Sequence, residues 1–141
     1  MLAFICTGKP RSWKAKSRNQ YQDQVRAAYR SALGDESMGQ QGLYGAVYYL
    51  KNSKHMLDAD NLSKPVWDAL TGLAYEDDVQ VLLRHSGIVD MRLRGASEFD
   101  LSTLPDDVAE QLIQTIGSEE HVVYIEIGPV DVSMFRFGLS Q

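Results

Sequence analysis

The sequence has one cysteine, Cys6, and so cannot form an internal disulfide. That fits a reducing cytoplasm, with Cys6 as a core residue in the apolar start "LAFICTG". No apolar run approaches the roughly 20 residues of a membrane span. The short apolar start has no charged leader before it and reads as a strand rather than a signal peptide. Only three histidines are present, His55, His85 and His121, and they show no metal-ligand spacing. His55 reads as a surface histidine, with an outer metal ligand as the alternative. There is no Walker motif, dinucleotide-binding glycine loop or nucleophile elbow. There are also no internal repeats, low-complexity segments or linkers.

What remains is an ordinary globular composition, 44% hydrophobic and 23% charged, in 141 residues. That length corresponds to one domain, residues 1–141. The net charge of −5 argues at first against a polyanionic partner. Its distribution is uneven. Residues 1–94 hold 13 Lys and Arg against 10 Asp and Glu, and the acidic part 95–141 holds one against nine. Between Lys9 and Arg30 stand seven basic residues and one acid, Asp23. Composition leaves two readings of this segment open, a polyanion-binding end and a solvated loop and helix face.

Hydrophobic periodicity predicts strands at 2–8, 43–52 and 121–128, and a helix from Ser17 to Gly34 with Tyr21, Val25 and Tyr29 inward. A further helix is expected at "LPDDVAEQLIQTIG", with Pro105 near its start and Gly117 just past its end. From Val79 the period is two, with Val81, Leu83, Val89, Met91 and Leu93 on one face. Arg84, Ser86, Asp90, Arg92 and Arg94 fall on the other, and Gly87 is a candidate break. A short strand is expected in the tail. The fold class is α/β (α+β): a mixed sheet flanked by helices in β-α-β-α-β-α-β order.

The informative stretch is "DADNLSKPVWDALTGLAYEDDVQV", residues 58–81. Leu62, Val66, Ala69, Leu70 and Leu73 share one side of a helical wheel, and Lys64, Asp68 and Thr71 the other. Pro65 fits a helix that begins close to it, which makes Asp60 or Ser63 the expected N-cap. Asp58 and Asp60 point the same way if extended. Asp77 and Asp78 follow a helix of about 18 Å, so the two acidic ends meet only if neighbouring strands bring them together. Carboxylates with room for water suit Mg²⁺, and a lysine beside them suits a phosphate transition state. The same residues also read as an N-cap, a turn and a solvated Lys64–Asp68 pair. An EF-hand is excluded, because counting from Asp58 the glycine position is Ser63 and the final glutamate position is Ala69.

This stretch closely resembles the signature of the RusA family of Holliday junction resolvases. That signature is an Asp-x-Asp-Asn run, a lysine four residues after the second Asp, an Asp-Ala-Leu helix and a downstream Asp-Asp-x-Gln-Val. The resemblance implies a Mg²⁺-dependent endodeoxyribonuclease, with Mn²⁺ as a substitute. It also implies a homodimer acting on four-way or other branched DNA in recombination and repair, in a bacterial or phage context. By the same resemblance Asp58, Asp60 and Asp78 are metal-binding catalytic acids, Lys64 is the catalytic lysine, and Asp77 and Asn61 support them. It makes the basic loop at about 8–18 the DNA contact, through Lys9, Arg11, Lys14, Lys16, Arg18 and Trp13. Two features depart from the family pattern: the opening turn is reduced to "GKPRSW", and the C-terminal part is unusually acidic. A non-catalytic junction-binding protein and a metal-dependent small-molecule phosphohydrolase are the rival readings.

Overall fold

A computed structural model describes residues 1–12 and 16–140. The chain forms β1 (Leu2–Cys6), α1 (Arg18–Leu33), β2 (Leu43–Lys51), α2 (Ala59–Leu70), β3 (Val81–Asp90), α3 (Asp106–Ser118) and β4 (His121–Pro129). Single 3₁₀ turns lie at Asp78–Gln80, Ala96–Glu98 and Val132–Met134. The four strands make one mixed sheet in the order β1-β4-β2-β3. β4 runs antiparallel to both β1 and β2, and β3 runs parallel to β2. A mixed sheet with three helices is thus borne out. The tail forms a 3₁₀ turn where a strand was expected.

Strand alternation sends side chains to two layers. Phe4, Val47, Tyr49, Val123 and Ile125 meet α1 and α2, with Tyr21, Val25, Tyr29, Leu62, Val66 and Leu70 from the helices. Ile5, Leu50, Val122 and Tyr124 meet α3 through Leu112, with Val108 and Ile116 beside it. Cys6 is buried in the first layer, where burial raises its thiol pKa. The acids Asp106, Asp107 and Glu110 of α3 are exposed on the far side of the sheet from α1 and α2.

Four local expectations are corrected. Gly117 lies inside α3, which runs one residue further to Ser118. Gly87 does not break β3, because its neighbours continue the ladder to β2 and it pairs with Tyr48. The side-chain alternation instead shifts near Leu82, where the register skips a residue. Val81 therefore enters the α1/α2 core, while Val89 and Met91 pack in the α3 layer. α2 begins at Ala59, so Pro65 sits inside it rather than in its first turn. A proline there removes a helical hydrogen bond. The ring is buried, and its carbonyl accepts from the Gln22 amide of α1 at 3.0 Å.

The seat of α2 is the indole of Trp67, 1% exposed, lying on the backbone of Gly45 in β2. A Cβ at Gly45 would come within 2.4 Å of the ring, which is boxed in by the core. Gly45→Ala is therefore expected to lower the unfolding free energy by about 2–3 kcal/mol, read from urea unfolding. Gly117→Ala, with no atom within 4 Å of the new methyl, is expected to raise it by about 0.5–1 kcal/mol through helix propensity.

Candidate active site

The first acidic end is the start of α2. Asp58 is the N-cap, displacing the expected Asp60 or Ser63, because Asp58 is the residue in extended conformation ahead of the first turn. One carboxylate oxygen accepts from the Asn61 backbone N–H at 2.8 Å, and the other from the Asn61 side-chain amide at 3.0 Å. Asn61 thus holds Asp58 in a single orientation. Asp60 is exposed in the first turn, so two carboxylates share the positive end of the helix dipole. The Ser86 hydroxyl of β3 donates to the Ala59 carbonyl at 2.6 Å and pins this end against mid-strand.

The second acidic end is a tied loop. Asp77 caps the turn Asp78–Gln80, accepting from Val79 N–H at 3.1 Å. The Gln80 side-chain carbonyl accepts from the N–H groups of Glu76 and Asp77, both at 3.1 Å. Its amide donates to the carbonyls of Gly39 at 2.8 Å and Gln41 at 3.1 Å. Gln80 therefore laces the acidic loop to the segment ahead of β2. Asp78 is half-buried beside Arg84, whose guanidinium lies 3.8 Å from its carboxylate and donates to its carbonyl at 2.9 Å.

Between the ends runs the polar stripe of α2. Asp60, Lys64 and Asp68 are four residues apart and share one face. The Lys64 ammonium is 3.7 Å from the Asp68 carboxylate. Asp68 and Asp78 both bear on Tyr75, whose hydroxyl donates to the Trp67 carbonyl at 2.6 Å. Burial chiefly raises the Tyr75 pKa; the Thr71 side chain and Arg84 oppose this, and the two acids add to it.

The structure thus pairs Asp58 with Asn61, Lys64 with Asp68, and Asp78 with Arg84. It does not gather Asp58, Asp60 and Asp78 at one point. Among the described residues no three His, Cys, Asp or Glu side chains stand at metal-holding spacing. Both ends are tied to β3, which runs parallel to β2: the Ser86 hydroxyl holds the Ala59 carbonyl, and Arg84, two residues earlier, holds Asp78. In donor chemistry the Asp58–Asp60 end suits a hard divalent cation, which takes one or two carboxylates and completes its shell with waters and phosphates.

On the basic loop, Lys9 and Lys16 are exposed, Arg11 is half-buried, and Arg18 opens α1. Trp13 and Lys14 lie outside the described residues. Lys9 and Arg11 line a small polar cleft of about 130 Å³ with Ser17, Gln20, Tyr21 and Gln24. The expected arginine face is mostly paired: Arg92 with Asp90 at 2.7 Å and Arg94 with Glu98 at 3.4 Å, in addition to Arg84 with Asp78. Arg92 holds the Asp90 carboxyl down at about 2.

His55 is half-buried, not a surface residue. Its Nε2 lies 3.0 Å from the Pro10 carbonyl, and its ring packs edge-on against Tyr49 and His121. The Tyr49 hydroxyl reaches His121 Nδ1 at 2.7 Å. Burial lowers the pKa of both imidazoles, and the charges of Lys9 and Arg11 lower them further. The Pro10 carbonyl at His55 and the Glu120 charge at His121 act the other way. Gln80 was legible in the sequence, since Asp-x-x-Gln is a capping box. His55 and Ser86 were not, because their partners lie 45 and 27 residues away.

The model of one protein family, described as endodeoxyribonuclease RusA, matches residues 4–86, more than half of the chain. The match spans the basic loop, both acidic ends and Lys64. No significant match to a curated protein was found.

The two lowered imidazoles set a pH dependence. The unfolded chain, with ordinary histidines near 6.5, binds protons more readily than the folded one. Their contribution to stability is therefore complete above the ordinary value and is lost as pH falls through it. Urea unfolding between pH 7.5 and 5 is expected to show falling stability. His55→Gln and His121→Gln together should flatten that slope.

Proposed function

The chain belongs to the RusA endodeoxyribonuclease family, and from that premise we propose a divalent-metal-dependent nuclease that resolves four-way DNA junctions as a homodimer. The observation that carries this reading is the arrangement of the signature on α2. Asp58 and Asp60 stand exposed at the helix N-terminus, and Lys64 follows one turn later on the same polar stripe as Asp60. An incoming phosphate at that helix end would meet oriented carboxylates and an ammonium together.

In this proposal Asp58 and Asp60 hold Mg²⁺ with the DNA phosphate, and Mn²⁺ substitutes. Asp78 is the third acid, supported by its place in the Asp-Asp-x-Gln-Val run and by its half-buried position. Bound there, the cation would supply Lewis acidity toward the scissile phosphate and the attacking water. Asn61 fixes Asp58 for that task, and Asp77 shapes the loop that carries Asp78. Lys64 shares its charge with Asp68 at rest, at a separation that leaves it able to turn to a phosphate oxygen. Lys9, Arg11, Lys14, Lys16 and Arg18 grip the DNA backbone, and Trp13 is the aromatic available to stack on an unpaired base.

The test is cleavage of a synthetic four-way junction beside a linear duplex. Wild type is expected to make paired symmetric nicks in the junction with Mg²⁺ and none in EDTA. Asp58→Asn, Asp60→Asn and Asp78→Asn should each bring cleavage to background while junction binding persists. Lys64→Ala should lower kcat by about 10²-fold. Full cleavage by Asp58→Asn or Asp78→Asn would sink the site assignment. Binding without cleavage in any divalent metal would make the protein a junction binder, and activity on nucleotides alone would make it a phosphohydrolase.

A further inference from the structure

His55 links two regions that the sequence keeps far apart. It lies three residues before Asp58, in the connection from β2 to α2. That connection is fastened at its own end: the Lys51 ammonium, 9% exposed, donates to the His55 carbonyl at 2.8 Å, and the His55 N–H donates to the Ser53 hydroxyl at 3.2 Å. From this anchored backbone the imidazole reaches the Pro10 carbonyl at 3.0 Å, with Tyr49 and His121 packed around its ring. Pro10 is buried, and the residues on either side of it, Lys9 and Arg11, are the two cations of the polar cleft against α1. Pro10 has no N–H of its own, so its carbonyl is the peptide group through which this point of the loop can be held. Tyr21, on the cleft wall, has a buried hydroxyl with no partner among the described residues.

We infer that His55 is a positioning residue that sets Lys9 and Arg11 as a two-cation grip for one DNA phosphate, in fixed register with Asp58. The inference rests on the reading of the basic loop as the DNA contact. It adds the device that aims that contact at the carboxylate end. A loop cation that moves freely must be ordered each time it binds. One held from behind has already lost that freedom, so affinity depends on the holding bond although that bond never touches DNA. The Lys51–His55–Pro10 chain also gives the distance between grip and Asp58 a fixed origin.

The experiment measures junction binding in EDTA over a salt series, and cleavage at saturating junction with Mg²⁺. His55→Ala is expected to raise Kd about fivefold, the effect of one lost hydrogen bond. It should also lower the slope of log K against log salt by about one, the share of one phosphate. The kcat should stay within about twofold. His55→Phe, which keeps the ring against Tyr49 and His121 but not the bond, should behave as His55→Ala does. It stands in for the alanine variant if that one unfolds. His55→Gln, whose amide can reach the same carbonyl, should restore most of the affinity. In a Lys9→Ala/Arg11→Ala background, His55→Phe should add no further loss, because it acts through that pair. Wild-type affinity and slope in His55→Phe, or a loss additive with the cation pair, overturns the inference. A wild-type protein that does not bind junctions defeats the functional reading instead. In that case tryptic cleavage after Arg11 still decides, since it should be faster in His55→Phe than in wild type and His55→Gln. An unchanged rate overturns the positioning role.

Discussion

The contact of an indole with a bare stretch of backbone governs most of this architecture. α2 could slide along the sheet on Leu62, Val66, Ala69 and Leu70 alone, since aliphatic contacts are forgiving. Trp67 removes that freedom, because its ring fits only where β2 offers a residue without a Cβ, at Gly45. The Trp67 carbonyl then organises the helix end, accepting from the Thr71 N–H and hydroxyl and from the Tyr75 hydroxyl. The Asp58 end, the Lys64 stripe and the Asp78 loop all inherit their positions from this one seat. Its cost is an indole N–H buried with no partner among the described residues.

Much of this was legible in the sequence, for identifiable reasons. The apolar face of α2, the inward residues of α1 and the strands at 2–8, 43–52 and 121–128 rest on periodicity, and packing confirmed them. The α2 start was misjudged because Pro65 argued for a short helix, whereas the Asp58–Asn61 cap and the Gln22 bond stabilise a longer one. The shift near Leu82 left no trace in the alternation. The approach of Trp67 to Gly45 is tertiary, and neither residue announces it. The two acidic ends were seen as acids but could not be placed, since the bonds that tie them to β3, Ser86 to Ala59 and Arg84 to Asp78, exist only once the chain is folded.

Asp58, Asp68, Asp77 and Asp78 each have a local partner that holds the side chain, and for Asp68 and Asp78 that partner is a cation. The same economy operates on the scale of the domain. The acids of α3 face away across the sheet from the basic loop and α2. A net charge of −5 is therefore compatible with one cationic face. A polyanion approaching the α3 side is repelled, so the uneven charge orients the encounter as well as permitting it.

The place of β4 carries a different consequence. The family match runs from residue 4 to residue 86 and holds part of β1, all of β2 and most of β3, yet the strand between β1 and β2 is made of residues 121–129. Leu2 pairs with Ile127, almost the full length of the chain away. During synthesis β1 is made well before β4, the strand it pairs with. The acids, the lysine and the basic loop are all translated before the sheet that arranges them can close. A nascent chain that still lacks β4 holds the whole signature without the strand that joins β1 to β2, so the four-stranded sheet closes only once that strand is made.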